Sequence, residues 1–400
     1  MSKNTLRFYL KIIDALKSKI TCILLVFIFV MPFCLSLFKL GNFFTLKGFV
    51  EKYPCPCFSV ESFKNKSFQK EFEACWSHKL SWNILYTKLF NTIFYTVFDK
   101  SYSAEQKLII GKEKYLYEFH YIEPLSKNLP LDTIKINKLI KDLKEIQDYY
   151  KNHNKVFILV ITPSKAMLCN QYVPDRFNLK LTYNNQQKIY EEQLKLFEKN
   201  GINFVDIPSN FSKISKEYIV FTRGGTHWSE YGKYYAAKLI AVKISKLLTK
   251  DIGKIEIRKY RRDNAPIGED IDLANLLNLL MVPDKFPCEH VELLANKKQS
   301  NLKIKLIGGS FCYGLLEMFN NSKIFSRLDF YFYLKPYKLS FVNSELKSET
   351  KVLPNGMESL MKNINSGDVI LLEMNQALLY SGDYIHIPGY INAMKRYAFK

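Results

Sequence analysis

The chain has 400 residues, with 58 lysines and arginines against 38 aspartates and glutamates, and a formal net charge of +20 at pH 7. This length exceeds one average domain without requiring two. The lysines are scattered and no basic-aromatic repeat appears, so nucleic acid is not expected as a partner. The charge is then explained by a solvated lysine-rich surface, or by attraction to anionic lipid or an acidic surface polymer.

The N-terminus carries an apolar segment flanked by basic residues. Ile20 to Phe38 is an uncharged run of 19 residues, which as a helix reaches about 28 Å, roughly one hydrocarbon core. Four lysines and one arginine precede it against the single acid Asp14, which predicts a cytoplasmic tail (1–19) and export of the rest. A cleaved signal peptide is the alternative. Because the run is long for that role and no small-x-small site follows, we expect a retained transmembrane signal anchor at 20–38.

Six of the eight cysteines lie outside this apolar run. In an oxidising compartment the easiest local closure joins Cys75 to Cys55 or to Cys57. The Cys55-Pro56-Cys57 spacing has no matching Cys/His pair of the kind that holds zinc, so the sequence predicts no metal site.

The segment after the anchor is predicted to be helical. Residues 39–105 are rich in aromatic residues, and apolar residues from Leu80 to Phe90 recur at helical spacing. We expect a membrane-proximal helical segment there. Residues 108–117 then read as a hairpin-like pair of apolar segments around a polar turn. Asp132 or Thr133 is expected to cap a helix whose apolar stripe ends at Tyr150.

From here strands alternate with helices. Short apolar runs predict strands at 156–161, 203–205, 302–307, 328–333 and 369–372. Helices are expected at 183–198, after a cap at Ser229, and again after Ser310. This alternation indicates an α/β layer fold with a mainly parallel sheet over residues 106–400.

Two glycine-rich turns carry the candidate chemistry. Arg223-Gly224-Gly225-Thr226-His227-Trp228-Ser229 presents a histidine before a helix, and Gly308-Gly309-Ser310 presents a serine after a strand. Taken alone, a serine of this kind often only caps a helix, and a loop histidine is usually structural. Together they are the minimum for a serine nucleophile activated by an imidazole base, with helix N-terminal amides to stabilise an oxyanion. His78, His120, His153, His290 and His386 lack such context and are expected to be surface or packing residues.

These motifs resemble those of the alginate O-acetyltransferases of the AlgJ/AlgX type, whose catalytic domain is a permuted SGNH-hydrolase-like fold. Their Asp-x-His-Trp motif precedes the serine, as His227-Trp228 precedes Ser310 here. Further segments match along most of the chain: Gly111 to Tyr117, Ile161 to Lys165 with Val173-Pro174, Asp272-Leu273, and Asp368 to Asn375.

Two positions depart from the family's pattern. Gly225 stands where the family has the aspartate of its triad, and Gly309 stands where it has the aspartate of Gly-Asp-Ser. The nearest carboxylate to the histidine in sequence, Glu230, is on the following helix. We expect a different group to orient His227, either a backbone carbonyl or a distant acid.

The resemblance implies an SGNH-hydrolase-like three-layer α/β/α fold and a membrane-anchored O-acetyltransferase that faces the periplasm from the inner (cytoplasmic) membrane. Ser310 and His227 would be catalytic, and Gly309, Asn375 and Trp228 would serve the oxyanion or the substrate. The partners implied are a polysaccharide acceptor and a multipass membrane O-acyltransferase as acetyl donor, with no cofactor. The alternatives are an exported carbohydrate esterase and a non-catalytic polysaccharide-binding subunit, which the missing aspartate favours.

Overall fold

The computed structural model describes residues 54–79, 81–102, 108–127, 130–177, 179–283, 285–333, 337–350, 356–381 and 387–398, with short stretches before them at 19–23, 26–27, 30, 34 and 45–48. Two compact units are present. The smaller contains Met1–Tyr102 with Asn275–Val282, and the larger contains Ser103–Ala274 with Pro283–Lys400.

The described part of the smaller unit is helical, as expected for residues 39–105. Its helices are α1 (Val60–Lys64), α2 (Ser67–Lys79) and α3 (Ser81–Phe98). A disulfide joins Cys55 to Cys75, one of the two expected local pairings, and Cys57 is a free exposed cysteine. The anchor predicted at 20–38 lies mostly outside the described residues. Within those residues, none of the helices combines the length and the apolar character that crossing a membrane requires.

The larger unit alternates strands and helices, as the sequence predicts. Its strands are β1 (Leu108–Ile110), β2 (Leu116–Glu118), β3 (Val156–Thr162), β4 (Phe204–Asp206), β5 (Ile257–Asp263), β6 (Cys288–Leu293), β7 (Ser300–Gly308), β8 (Phe325–Phe332), β9 (Tyr337–Val342), β10 (Glu345–Thr350) and β11 (Val369–Asn375).

The remaining α-helices, numbered in chain order, are α4 (Phe119–Ser126), α5 (Thr133–Asn152), α6 (Lys165–Leu168), α7 (Leu179–Lys199), α8 (Ile207–Ile214), α9 (Glu230–Leu248), α10 (Asp272–Leu276), α11 (Phe311–Asn321), α12 (Gly356–Asn365), α13 (Gln376–Ser381) and α14 (Ile387–Ala398). The expected caps are confirmed: the Asp132 carboxylate accepts from the Lys135 amide at the start of α5, and the Ser229 hydroxyl accepts from the Gly232 amide at the start of α9.

Seven of the described strands form one mixed sheet in the order β10-β9-β8-β7-β11-β3-β4. The strands from β8 to β4 pair in parallel, whereas β8–β9 and β9–β10 pair antiparallel. Four of the six pairings are parallel, so the sheet is mainly parallel, as predicted, and it is mixed because its β9–β10 edge is antiparallel. The β9–β10 hairpin was missed because β10 has no buried residue and no apolar alternation.

Helices cover both faces of this sheet, which gives three layers. Along β3, Phe157, Leu159 and Ile161 belong to one buried apolar cluster, which also contains residues of α5, α7, α12 and α14. The alternate residues Ile158 and Val160 belong to a second cluster with residues of α8, α9 and α11. Because successive side chains of a strand point to opposite faces, a continuous apolar run is what a strand between two helical layers requires.

Candidate active site

Ser310 lies where the central strand β7 passes into helix α11, at the carboxyl edge of the parallel part of the sheet. The close packing of this turn requires glycine at Gly308, because a Cβ there would clash with the Cys312 sulfur and the Glu373 side chain. The Ser310 side chain does not cap its own helix. Its Oγ is instead 2.8 Å from Nε2 of His227. The two residues that the sequence singled out are therefore hydrogen-bonded to each other.

His227 is carried by the loop between α8 and α9, and its neighbours hold that loop in place. Trp228 is fully buried and packs edge-to-face on Phe311, which also contacts the His227 ring. The ring of His227 itself is 15% exposed. One side of the imidazole thus packs against an aromatic side chain, and part of the ring remains accessible to solvent.

The ammonium group of Lys165 binds the backbone of the segment that precedes the histidine. Its Nζ donates to the carbonyl oxygens of Leu116 (2.8 Å), Arg223 (3.1 Å) and Gly225 (2.6 Å). The lysine is 4% exposed, and burial lowers its pKa to about 8. It ties β2 to the histidine loop by satisfying three carbonyls that have little access to water.

Asp272, the first residue of α10, completes the arrangement from a distant part of the sequence. Its Oδ2 is 2.5 Å from Nδ1 of His227. Its Oδ1 accepts from the backbone amides of Thr226 (2.8 Å) and Leu273 (2.6 Å). Two amides therefore fix the carboxylate, and its other oxygen accepts the imidazole N–H. This hydrogen bond places the proton of a neutral His227 on Nδ1 and leaves Nε2 as the acceptor that faces Ser310.

The two glycines before the histidine allow the Asp272 segment to approach. The Gly224 carbonyl accepts from the Ala274 amide at 3.0 Å, and the Thr222 hydroxyl donates to the Asp270 carbonyl at 2.9 Å. A Cβ on Gly225 would lie inside contact distance of the Glu269 carbonyl oxygen. The φ of Gly225 is not in the left-handed region, so this close backbone approach is what excludes a side chain there.

Lys233, a buried lysine, forms ion pairs with two glutamates, one of them on the segment before Asp272. Nζ of Lys233 lies 2.8 Å from Glu269 and 2.9 Å from Glu317, and the lysine side chain is only 7% exposed. These ion pairs connect the Asp272 segment to helices α9 and α11, which follow the histidine and the serine. Lys233 thus connects the segments that carry Ser310, His227 and Asp272, which form a hydrogen-bonded series.

The electrostatics favour a protonated imidazole at neutral pH more than in a free histidine. Burial alone lowers the pKa of His227, but the hydrogen bond and charge of Asp272, followed by the charges of Glu269 and Glu118, outweigh it and raise the pKa above the ordinary value of 6.5. A raised pKa makes the imidazole a stronger base towards the serine hydroxyl and stabilises the imidazolium that proton transfer creates.

The three residues expected to serve the oxyanion or substrate are engaged inside the protein. The Gly309 amide donates to Glu373 Oε2 at 2.8 Å, and Nδ2 of Asn375 donates to the Pro163 carbonyl at 3.2 Å. Trp228 is fully buried, and its indole nitrogen faces the position of Gly314 on α11. In this geometry Gly309 and Asn375 have these protein partners and Trp228 is enclosed by protein, and their roles toward an oxyanion or a substrate stay predictions.

Glu373, at the end of β11, is the buried support that sequence reasoning missed. It is 1% exposed and accepts hydrogen bonds from the Gly309 amide, the Thr162 hydroxyl and, at 3.3 Å, the Tyr333 hydroxyl. Burial raises its pKa, and these donors oppose the rise. Gly309 stands where the resembling family has an aspartate, and the space beside it is taken by the Tyr333 hydroxyl and the Glu373 carboxylate. The signal for Glu373 was its place at the end of a predicted central strand.

The other histidines were expected to be surface or packing residues, and the structure describes the side chains of His120, His153 and His290. His120 and His153 are exposed, the side chain of His78 is not described, and His386 lies outside the described residues. His290 is 11% exposed and lies against two potential ligand groups, Asp263 and Cys288.

Comparison with known proteins places the chain in a family. Residues 108–312, which are 205 of 400, match the model of a family described as SGNH hydrolase-like domain, acetyltransferase AlgX. The alginate biosynthesis protein AlgX of Pseudomonas syringae pv. tomato is 25% identical over 105 residues, which are 26% of this chain and 22% of that protein. The match thus spans about a fifth of that relative's length.

Two solved structures are similar to this chain at low sequence identity. The O-acetyltransferase domain of Pseudomonas putida AlgJ is 17% identical, with 72% of this chain and 99% of that chain covered and a TM-score of 0.44. AlgX of Pseudomonas aeruginosa is 12% identical, with coverages of 69% and 67% and a TM-score of 0.42. The family model covers more than half of the chain, and His227, Asp272 and Ser310 all fall within it; the chain belongs to the SGNH hydrolase-like family of acetyltransferase AlgX.

Proposed function

We propose that this chain is an O-acetyltransferase that transfers acetyl groups to hydroxyls of an exported polysaccharide through an acetyl-Ser310 intermediate. The observation that carries the proposal is the unbroken hydrogen-bonded series from Ser310 through His227 to Asp272. Membership of the AlgX acetyltransferase family supports the transfer chemistry. The name of the curated relative, an alginate biosynthesis protein, supports a polysaccharide as acceptor.

In the first half-reaction Ser310 is the nucleophile. Its Oγ attacks the acetyl carbonyl carbon of the donor while Nε2 of His227 accepts the hydroxyl proton. Asp272 accepts the Nδ1–H hydrogen bond and stabilises the imidazolium. The tetrahedral intermediate then collapses, the bond from carbon to the donor's leaving group breaks, and that group takes the proton from Nε2. Acetyl-Ser310 remains.

In the second half-reaction a sugar hydroxyl takes the place of the leaving group. Nε2 of His227 accepts the sugar's proton as its oxygen attacks the acetyl-serine carbonyl. The bond from that carbon to the serine oxygen breaks, and the proton passes from Nε2 to Ser310 Oγ. The enzyme is restored without any change in its net protonation.

The developing oxyanion needs hydrogen-bond donors that are not already in use. The Gly309 amide donates to Glu373, and the amides of Cys312 and Tyr313 donate to the Gly309 and Ser310 carbonyls. The first amides of a helix have no acceptor within the helix. We therefore assign the oxyanion to the backbone amides of Ser310 and Phe311, at the start of α11, where the helix dipole also favours negative charge.

The setting that we propose is the outer face of the inner (cytoplasmic) membrane, with the run at 20–38 as a single-pass anchor. The apolar run and its basic flank support this placement. The Cys55–Cys75 disulfide is in keeping with an oxidising compartment. A multipass membrane O-acyltransferase is the proposed source of acetyl groups, on the resemblance to the AlgJ/AlgX-type enzymes.

The geometry removes the main reason for favouring a non-catalytic subunit. That alternative was based on the aspartate missing at Gly225, and Asp272 now contacts the imidazole at the position that an orienting acid requires. An esterase would use the same Ser310 and His227, with water as acceptor. The acceptor, and not the residues of the series, distinguishes the two enzymes.

Product analysis tests the proposal. The full-length chain in detergent would be incubated with an activated acetyl ester and increasing concentrations of soluble oligosaccharide, and both free acetate and acetylated sugar would be measured. We expect acetylated sugar to rise at the expense of acetate, and both to be absent in Ser310→Ala. Ser366→Ala, a surface serine that donates only to Asn363, is the matched control. Acetate alone at every sugar concentration would mean an esterase, and no turnover would mean a binding subunit.

A further inference from the structure

A second cluster of reactive side chains lies on the two-stranded sheet of β5 and β6. In this antiparallel pair Asp263 is directly opposite Cys288, and His290 follows two residues later on the same strand. Directly opposed residues share a face of a ribbon, as do residues two apart on one strand. Strand geometry therefore brings a carboxylate, a thiol and an imidazole together, although the aspartate and the cysteine are 25 residues apart in sequence.

We propose that Asp263, Cys288 and His290 form a zinc-binding site. Their ligand atoms lie close together: Cys288 Sγ is 3.4 Å from both Asp263 Oδ1 and His290 Nε2, and those two atoms are 3.1 Å apart. Ligands at about 2.0–2.3 Å from a tetrahedral zinc ion lie about 3.3–3.8 Å from one another. The three atoms thus need to separate by only a few tenths of an ångström to hold the ion.

The donor set selects among metals. A thiolate and an imidazole are preferred by zinc and other borderline-soft ions, whereas calcium and magnesium require oxygen ligands. Cys288 is fully buried, His290 is 11% exposed and Asp263 is 29% exposed. Three protein ligands with one open side leave a fourth position for water. On binding, the Cys288 thiol releases its proton to solvent, and the thiolate and carboxylate together balance the ion's two positive charges.

A second layer of contacts holds the ligands in this orientation. Oε2 of Glu230 lies 3.6 Å from the outer nitrogen, Nδ1, of His290, and accepts from the Val291 amide at 3.0 Å. A carboxylate behind the distal nitrogen is the usual partner of a zinc-bound histidine. The other oxygen of Asp263 pairs with Arg261 Nε at 2.9 Å. Oδ1 accepts from the Ala265 amide at 2.9 Å, and its second lone pair would bind the ion.

The position of the site gives it a structural consequence. Asp263 ends β5 and Cys288 begins β6, so the ion would tie together both ends of the chain segment that carries Asp272. This proposal is independent of acyl transfer, and the ligands are not members of the Ser310 series. It also departs from the prediction of no metal, which considered only the Cys55-Pro56-Cys57 spacing; the cross-strand pair is not visible as a sequence motif.

Metal content tests the site directly. The full-length chain in detergent would be equilibrated with Zn²⁺, dialysed into metal-free buffer and measured by plasma mass spectrometry. We expect about one equivalent per chain, and a melting temperature that falls on chelation and recovers with Zn²⁺. Cys288→Ser and His290→Gln should lose the ion. Cys57→Ser, which removes an exposed free cysteine, and His153→Gln, an exposed histidine, should retain it.

Cobalt supplies a readout that does not depend on how well a variant folds. Titration of the wild-type chain with Co²⁺ should produce near-ultraviolet thiolate-to-cobalt charge transfer, with one site per chain, and this absorption should be displaced by Zn²⁺. The proposal is overturned if the wild-type chain binds neither ion after dialysis. It is equally overturned if Cys288→Ser shows the same metal content and the same cobalt spectrum as the wild type.

Discussion

Replacement of Asp272 by asparagine isolates the role of the acid. The Oδ1 position, which accepts from the Thr226 and Leu273 amides, is preserved by the amide oxygen, so the local backbone should be retained. The other position changes from an acceptor to an N–H donor 2.5 Å from Nδ1 of His227. To accept a hydrogen bond from that donor, Nδ1 of His227 must be unprotonated, so the single proton of the neutral imidazole lies on Nε2. A protonated Nε2 cannot accept the proton of Ser310.

The expected loss is large and follows from this tautomer. In the serine proteases the equivalent change lowers kcat about 10⁴-fold, or about 5 kcal/mol in barrier height. We expect Asp272→Asn to reduce the rate of Ser310 acylation by about 10³–10⁴-fold.

The same variant should shift the pH dependence of the acylation rate. In the wild type the acylation rate should rise with pH to a plateau, and the pH of half-maximal rate should lie above 6.5, because a raised pKa keeps His227 protonated to higher pH. Without the Asp272 charge, burial dominates and the midpoint should move to lower pH.

Single-turnover acylation by an activated acetyl ester, measured across the pH range, provides both readouts. Asp175→Asn is the matched control, since Asp175 is an exposed partner of Lys112 on the surface, and its rate should stay within twofold. Thermal unfolding would confirm that the Asp272 variant is folded. A loss of less than tenfold with an unchanged pH midpoint would refute the assigned role of Asp272.

Three further results are expected. Gly225→Asp should lower the melting temperature and not raise the acylation rate, because a side chain at Gly225 meets the Glu269 carbonyl; a tenfold gain in rate would contradict this account. Lys165→Met should lower the free energy of unfolding by about 3 kcal/mol in urea titrations, since it removes the ammonium donor from the buried carbonyls of Leu116 and Gly225; the Arg223 carbonyl keeps the Leu116 amide as a donor. The exposed Lys135→Met should change it by under about 0.5 kcal/mol. N-terminal sequencing of membrane-bound protein should read the intact start of the chain, and a mature chain beginning after Phe38 would show that the anchor is cleaved.

The serine and histidine could be predicted because their signals are local. Each lies beside glycines, at the end of an apolar strand or before a capped helix, and each pattern fits within about ten residues. The central strands were predicted for the same reason, because β3 and β11 are continuous apolar runs. Strand β5 is mostly charged and exposed, and carries no such pattern.

The orienting acid could not be predicted from local sequence. Asp272 is 45 residues from His227 and lies on a short helix between the strands of a separate two-stranded sheet. Its partnership depends on the backbone approach at Gly224 and Gly225, which is a tertiary contact. The resemblance at Asp272-Leu273 marked the residue without indicating its role. Gly225, which replaces the aspartate of the family motif, is thus the residue whose lack of a side chain lets the Asp272 segment approach His227.

The central claim is that Ser310 becomes acylated. The most direct measurement is the intact mass of the full-length chain after brief incubation with an activated acetyl ester, followed by peptide mapping of the adduct. The account predicts a single acetyl group on the peptide that carries Ser310, formed slowly or not at all in His227→Ala and absent in Ser310→Ala. An adduct of equal yield in Ser310→Ala, or an acetyl group mapped to a different residue of the wild-type chain, would contradict it.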